Sequence, residues 1–121
     1  MEVPILKQGN FLIATIQAAL TDDDLRTFRS ALLAHVVRSR SSGIVIDVTA
    51  LDVLDSFGTR TLSEIALMTR LRGAETIIVG VQPEVAFAMV QLGLSLEGIT
   101  TALDLEEGLA YLNRKAKNLR S

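Results

Sequence analysis

The 121-residue chain contains no cysteine and no tryptophan, and only two prolines, one histidine and one tyrosine. Without cysteine there is neither a disulfide framework nor a thiolate nucleophile, which fits a reducing compartment. One histidine, His35, cannot build a metal cluster with carboxylates as scattered as these. Aromatic residues make up 4% of the chain, too few to lay out a stacking platform for bases. Neither sign of charge dominates. The formal net charge of −2 carries no mark of a nucleic-acid partner or an anionic membrane surface. No apolar run approaches the ~18 residues that span a bilayer. The N-terminal residues, Met1-Glu2-Val3-Pro4-Ile5-Leu6-Lys7, lack the basic and apolar regions of a signal peptide. The expectation is one domain over residues 1–121, cytoplasmic, with no membrane span, nucleic acid, metal or cofactor.

What is present is a large apolar fraction, 49%, against 21% charged, enough to close a core without staples. Residues 4–8 and 11–17 are short β-prone runs around Gly9-Asn10, a hairpin signal. Thr21 then caps a helix whose first turn holds Asp22, Asp23 and Asp24, where the helix dipole favours carboxylates. Leu25, Phe28, Leu32 and Val36 recur at helical spacing, and Ser41-Ser42-Gly43 supplies a stop. Residues 43–48 and 75–81 are apolar and β-branched without alternation, the pattern of strands covered on both faces. Between them a helix is expected over 56–71, with Leu62, Ile65 and Met68 as its buried stripe. A helix over 84–92, a short strand at 99–102 and a last helix opened by Asp104-Leu105-Glu106-Glu107 complete the chain. Strands alternating with helices after an opening hairpin predict an α/β domain. Its mixed, mainly parallel sheet has four to five strands under about four helices.

Chemistry is sparse. There is no G-x-x-x-x-G-K-[ST] loop, no G-x-G-x-x-G after a strand and no G-x-S-x-G elbow, which argues against a nucleotide enzyme or a hydrolase. Asp47, Asp52 and Asp55 have the oxygen chemistry that Mg²⁺ takes, although most such aspartates only shape a turn. Asp47, ending a central strand, invites comparison with receiver domains phosphorylated on aspartate. No lysine stands between Lys7 and Lys115 to serve that chemistry.

Ser56 stands out. It follows a strand and an acidic turn at the start of a helix, where loops of α/β sheets collect function. One reading makes it the helix cap. The other makes it a phosphate acceptor, since a helix N-terminus tolerates a dianion and the added charge of about −2 would fall beside Asp52 and Asp55. A second feature concerns assembly. Residues 85–90 are apolar without a break and so circle the helix, which marks Ala86, Ala88 and Met89 as candidates for contact with another chain.

Asp55-Ser56-Phe57-Gly58, after a strand ending Ile46-Asp47-Val48-Thr49, resembles the phosphoacceptor motif of STAS-domain anti-anti-sigma proteins. The likeness is greatest to the RsbS-type antagonists of the stressosome. It extends through Pro4-Ile5-Leu6-Lys7, Gly80-Val81-Gln82-Pro83-Glu84-Val85-Ala86 and the segment 101–109. The resemblance implies a non-enzymatic scaffold whose Ser56 is phosphorylated by an RsbT-type serine kinase and restored by a cognate phosphatase. Thr59 is the nearest alternative acceptor. Asp52, Asp55, Phe57, Gly58 and Thr59 become the expected partner contacts, and RsbR-type paralogues the expected co-assemblers. A simpler antagonist that binds an anti-sigma factor directly is the other outcome the resemblance allows.

Overall fold

The structure, a computed structural model, describes residues 2–96 and 98–120, the last three as backbone only. The chain opens with an antiparallel pair, β1 (Ile5–Gln8) and β2 (Phe11–Thr15), joined at Gly9, whose φ of 61° lies in the left-handed region that glycine enters without strain. Helix α1 (Asp22–Ser39) leads to β3 (Gly43–Asp47), α2 (Ser56–Leu71) to β4 (Glu75–Val79), and α3 (Pro83–Gln91) to β5 (Thr100–Ala102), after which α4 (Leu105–Arg120) closes the domain. The sheet order is β1-β2-β3-β4-β5, with every pair after the first parallel. The expected α/β architecture is therefore the observed one, with five strands and four helices among the described residues.

Each parallel strand joins the same growing edge, so crossovers of one hand deliver their helices to one face of the sheet. The two core clusters show the result. Leu12, Ala14, Ile44, Ile46 and Ile78 meet Phe28, Leu32, Leu62 and Ile65 of α1 and α2. The alternate residues Phe11, Ile13, Val45, Ile77 and Val79 turn the other way, against Leu105, Leu109 and Leu112 of α4. β3 and β4 are enclosed on both sides, which is why their sequences do not alternate. Two glycines let α4 lie close to the sheet. A Cβ at Gly43 would stand 2.9 Å from Leu112 Cδ1, and one at Gly108 would stand 2.7 Å from Val79 Cγ1.

Local signals account for α1 well. Thr21 Oγ1 accepts the Asp24 N–H while Asp24 Oδ2 accepts the Thr21 N–H, a complete capping box. Its buried residues are Leu25, Phe28, Leu32 and Val36, as the spacing predicts. The helix stop differs from expectation. Arg40, at φ 51°, makes the left-handed turn, and Gly43 is spent in β3 to admit Leu112. In α2 the buried arc is Thr61, Leu62, Ile65, Ala66 and Thr69, and Met68 is 38% exposed. At ~100° per residue Met68 falls just beyond the edge of that arc. The buried hydroxyls of Thr69 and Thr76 satisfy each other at 2.8 Å. α3 turns in only Val85 and Met89, leaving Phe87 and Val90 exposed.

Candidate functional site

The site forms where β3 ends and α2 begins, and a neighbouring loop holds it in place. Asp47 Oδ1 accepts both the N–H of Thr49, at 2.9 Å, and its hydroxyl, at 2.6 Å, folding the carboxylate back onto its own turn. Val48 donates its N–H to Val79 O, and Gln82 Nε2 donates to Thr49 O at 2.6 Å. Gly80 completes the lock at φ 81°. A Cβ there would lie 2.0 Å from Thr49 Oγ1 and 3.1 Å from Thr49 Cα. The loop after β3 is thus interlocked with the loop after β4, and Leu51 roots it in the core. Asp47 is committed to this turn, and among the described residues no three His, Cys, Asp or Glu side chains converge as a metal site would require.

The start of α2 corrects one expectation. Asp55, not Ser56, is the N-cap, with extended backbone (φ −82°, ψ −177°) and Oδ1 accepting the Gly58 N–H at 2.8 Å. Ser56 is the first helical residue, exposed, and its hydroxyl takes no hydrogen bond among the described residues. The serine is therefore presented to solvent by a capped helix that does not depend on it.

Two expected contact residues turn out to be internal. Gly58 is buried, and a Cβ there would meet Leu54 Cδ1 at 2.9 Å and Asp55 Oδ1 at 3.2 Å. Thr59, the alternative acceptor, is 4% exposed and donates its hydroxyl to Asp55 O at 2.9 Å. Both help build the mount, and Thr59 also lines the floor of the groove beside Ser56. Asp52 and Asp55 are exposed at this end, and Phe57 is half-buried beneath Arg26. The Arg26 guanidinium lies 5.1 Å from the ring centroid and donates to Asp23 Oδ1 at 2.8 Å. Asp55, Ser56 and Phe57 stand together at the start of α2, joined through Phe57 by Arg26 and Asp23 of α1.

Two depressions flank Ser56. Behind the loop is an apolar hollow of about 110 Å³ lined by Ile16, Leu20, Leu25, Leu51, Leu54 and Leu62. Along the outer side of α2 runs an open groove of about 550 Å³, where Ser56, Arg60, Ser63 and Leu67 face the Gly93–Leu94–Ser95 turn. Arg70 braces that turn through the Gly98 carbonyl, and Arg29 Nη1 to Glu64 Oε1 at 3.1 Å ties α1 to α2. Sequence reading missed Thr49, Gly80 and Gln82 as the clamp. The traces were Thr49, at the end of the strand segment, and the Gly80-Val81-Gln82-Pro83 segment, both read there as likeness alone. For assembly, Ala86 and Ala88 are exposed as expected, but Met89 is 6% exposed and packs inward.

No helix among the described residues is long and apolar enough to cross a membrane. Comparison with known proteins agrees with the geometry. The family model of the STAS domain matches residues 2–108. A chain of a Moorella thermoacetica RsbS variant superposes with a TM-score of 0.83 at 36% identity, covering 97% of this chain and 99% of that one. A chain from the molecular architecture of the stressosome, described as a signal integration and transduction hub, superposes at 0.77 with 37% identity, covering 93% and 98%. The RsbT co-antagonist protein RsbRA of Bacillus subtilis (strain 168) is 26% identical over 107 residues, which is 88% of this chain but 38% of RsbRA. The chain spans little more than a third of that relative. It belongs to the STAS domain family, similar along almost its whole length to RsbS and over a shorter part to an RsbR co-antagonist.

Proposed function

We propose that this chain is a phosphorylation-switched antagonist of the RsbS kind. Unmodified, it holds an RsbT-type serine kinase within a stressosome-like assembly of RsbR-type paralogues. Phosphorylation of Ser56 loosens that hold, and a cognate phosphatase resets it, so a stress-response or sigma-factor pathway is regulated without catalysis by this domain. The observation that carries the reading is the exposed Ser56 hydroxyl, relieved of capping by Asp55 and placed at the helix start that follows a loop locked by Gly80 and Thr49. A hydroxyl that is free, exposed and next to Asp55 is chemically available to a kinase. Its modification adds like charge to an already acidic edge.

Likeness to RsbS at 36% identity over 97% of this chain supports the antagonist role. The exposed apolar residues Phe87 and Val90, with Ala86 and Ala88 between and beside them, support contact with related domains.

The test is to incubate the protein with an RsbT-type kinase and ATP, then map the phosphate after acid treatment. Acid-stable label on Ser56, absent from Ser56→Ala, supports the proposal. Label that persists in Ser56→Ala, or that acid removes as an acyl phosphate on Asp47 would be, rejects it.

A further inference from the structure

We propose that Arg60 is the internal counter-ion of phosphorylated Ser56, so that modification both adds a dianion and withdraws a free cation from the docking edge. The inference rests on Ser56 being the acceptor and concerns what the phosphate then meets. Ser56 and Arg60 stand four residues apart on α2 and line the same open groove. Residues at this spacing are neighbours on a helix surface. A long side chain leans back toward the helix N-terminus and covers the turn before its own Cα. For Arg60 that turn is the one that carries Ser56.

The surrounding arginines are engaged elsewhere. Arg26 is held by Asp23 and lies over Phe57, Arg29 is paired with Glu64, and Arg70 donates to the Gly98 carbonyl. Arg60 is exposed and has no hydrogen bond or ion pair among the described residues. Its guanidinium is thus free to form a charge-assisted, two-pronged contact with phosphate oxygens, the geometry that favours arginine over lysine. Asp55, the neighbouring cap residue, is absent from the lining of the groove, and its carboxylate repels the same phosphate and biases it toward Arg60.

The pairing changes the face twice. Before modification Arg60 is a cation open to a partner's carboxylate. Afterwards it is neutralised within the chain, and the remaining phosphate charge adds to Asp52 and Asp55. A single carboxylate in place of Ser56 is shorter, carries half the charge and engages Arg60 poorly.

Phosphoserine built into position 56 during translation permits a test that needs no kinase. The phosphate is titrated by phosphorus NMR in wild type, Arg60→Gln and Arg60→Lys. A nearby cation favours the dianion, so the wild-type phosphate titrates at lower pH than that of Arg60→Gln, with Arg60→Lys between them. Added salt narrows the difference. Arg60→Gln should also lower the melting temperature of the phosphorylated protein while leaving the unmodified protein unchanged. Coincident titrations in wild type and Arg60→Gln would overturn the inference. Failure of an RsbT-type kinase to label Ser56 counts against the proposed function instead, and the two failures are read in separate experiments.

Discussion

Asp55 accepts the Gly58 N–H at 2.8 Å and caps α2 one position before Ser56, so capping and presentation fall to adjacent residues. Stability and signalling at this site are therefore separable by mutation. Asp55→Ala removes the cap and should cost about 0.5–2 kcal/mol, whereas Asp55→Asn retains it. Ser56→Ala changes an exposed first-turn residue with no partner and should stay within about 0.5 kcal/mol of wild type. Urea unfolding of the three variants checks the order. A Ser56→Ala loss as large as that of Asp55→Ala would place the cap on the serine after all.

Gly80 and Thr49 make the complementary case, a site element held by a neighbouring loop. Alanine at Gly80 must adopt φ 81°, which costs a non-glycine residue about 1–3 kcal/mol. It must also displace Thr49 Oγ1 from 2.0 Å, so the strain passes into the turn that precedes Ser56. Gly80→Ala should therefore destabilise by at least that amount and shift amide NMR signals from residue 47 to residue 57. Thr49→Ala in the same chain should recover only part of the loss. Thr49 Cα, at 3.1 Å from the added methyl, remains in the way. Signal changes confined to the loop after β4 would mean that the two loops are not coupled.

How far the sequence could reveal this depends on the range of each interaction. α1 was legible because its cap, its acidic first turn and its apolar spacing are local and agree with one another. The doubly covered strands were legible from composition alone, since only a two-sided core tolerates such runs. Met68 was misplaced because a three-residue stripe does not locate the edge of a wider buried arc. In α3 six consecutive apolar residues give no periodicity, so nothing local singled out Val85 and Met89 as the inward pair. Gly58 and Thr59 read as contact residues through the resemblance of their motif, which says nothing of burial. Their burial comes from Leu54 and from the Asp55 carbonyl. The Gly80–Thr49 lock joins two loops far apart in sequence and leaves no local pattern.

The outer face of α3 tests the proposed assembly. Phe87 and Val90 are 65% and 77% exposed, while Met89 between them is 6% exposed. Phe87→Lys and Val90→Lys should leave the melting temperature nearly unchanged and weaken association with the same or related domains. Met89→Lys puts a charge into the core and should destabilise by several kcal/mol. Sedimentation of each variant, alone and mixed with an RsbR-type domain, reads the first effect, and calorimetry reads the second. Unchanged association in Phe87→Lys and Val90→Lys would remove this face from the interface.

The switch itself is tested by setting charge against structure at adjacent positions. If the acidic edge repels the kinase after modification, binding should follow the charge near Ser56 and ignore helix stability. Ser56→Ala, neutral and folded, should bind the kinase nearly as wild type does. Ser56→Asp should bind more weakly, although one carboxylate carries less charge than a phosphate dianion. The protein with phosphoserine at position 56 should bind weakest. Asp55→Asn supplies the opposite perturbation, since it keeps the cap while removing one negative charge, and so should partly restore binding to the phosphorylated form. High salt should compress the whole series, because exposed charges lose their reach as the Debye length falls toward ~3 Å at 1 M. Calorimetric titration of the five proteins with an RsbT-type kinase at two salt concentrations gives the order directly. Binding that tracks the unfolding free energies, with Asp55→Ala weakest in a parallel titration, would show that the kinase reads the integrity of the helix start and not its charge.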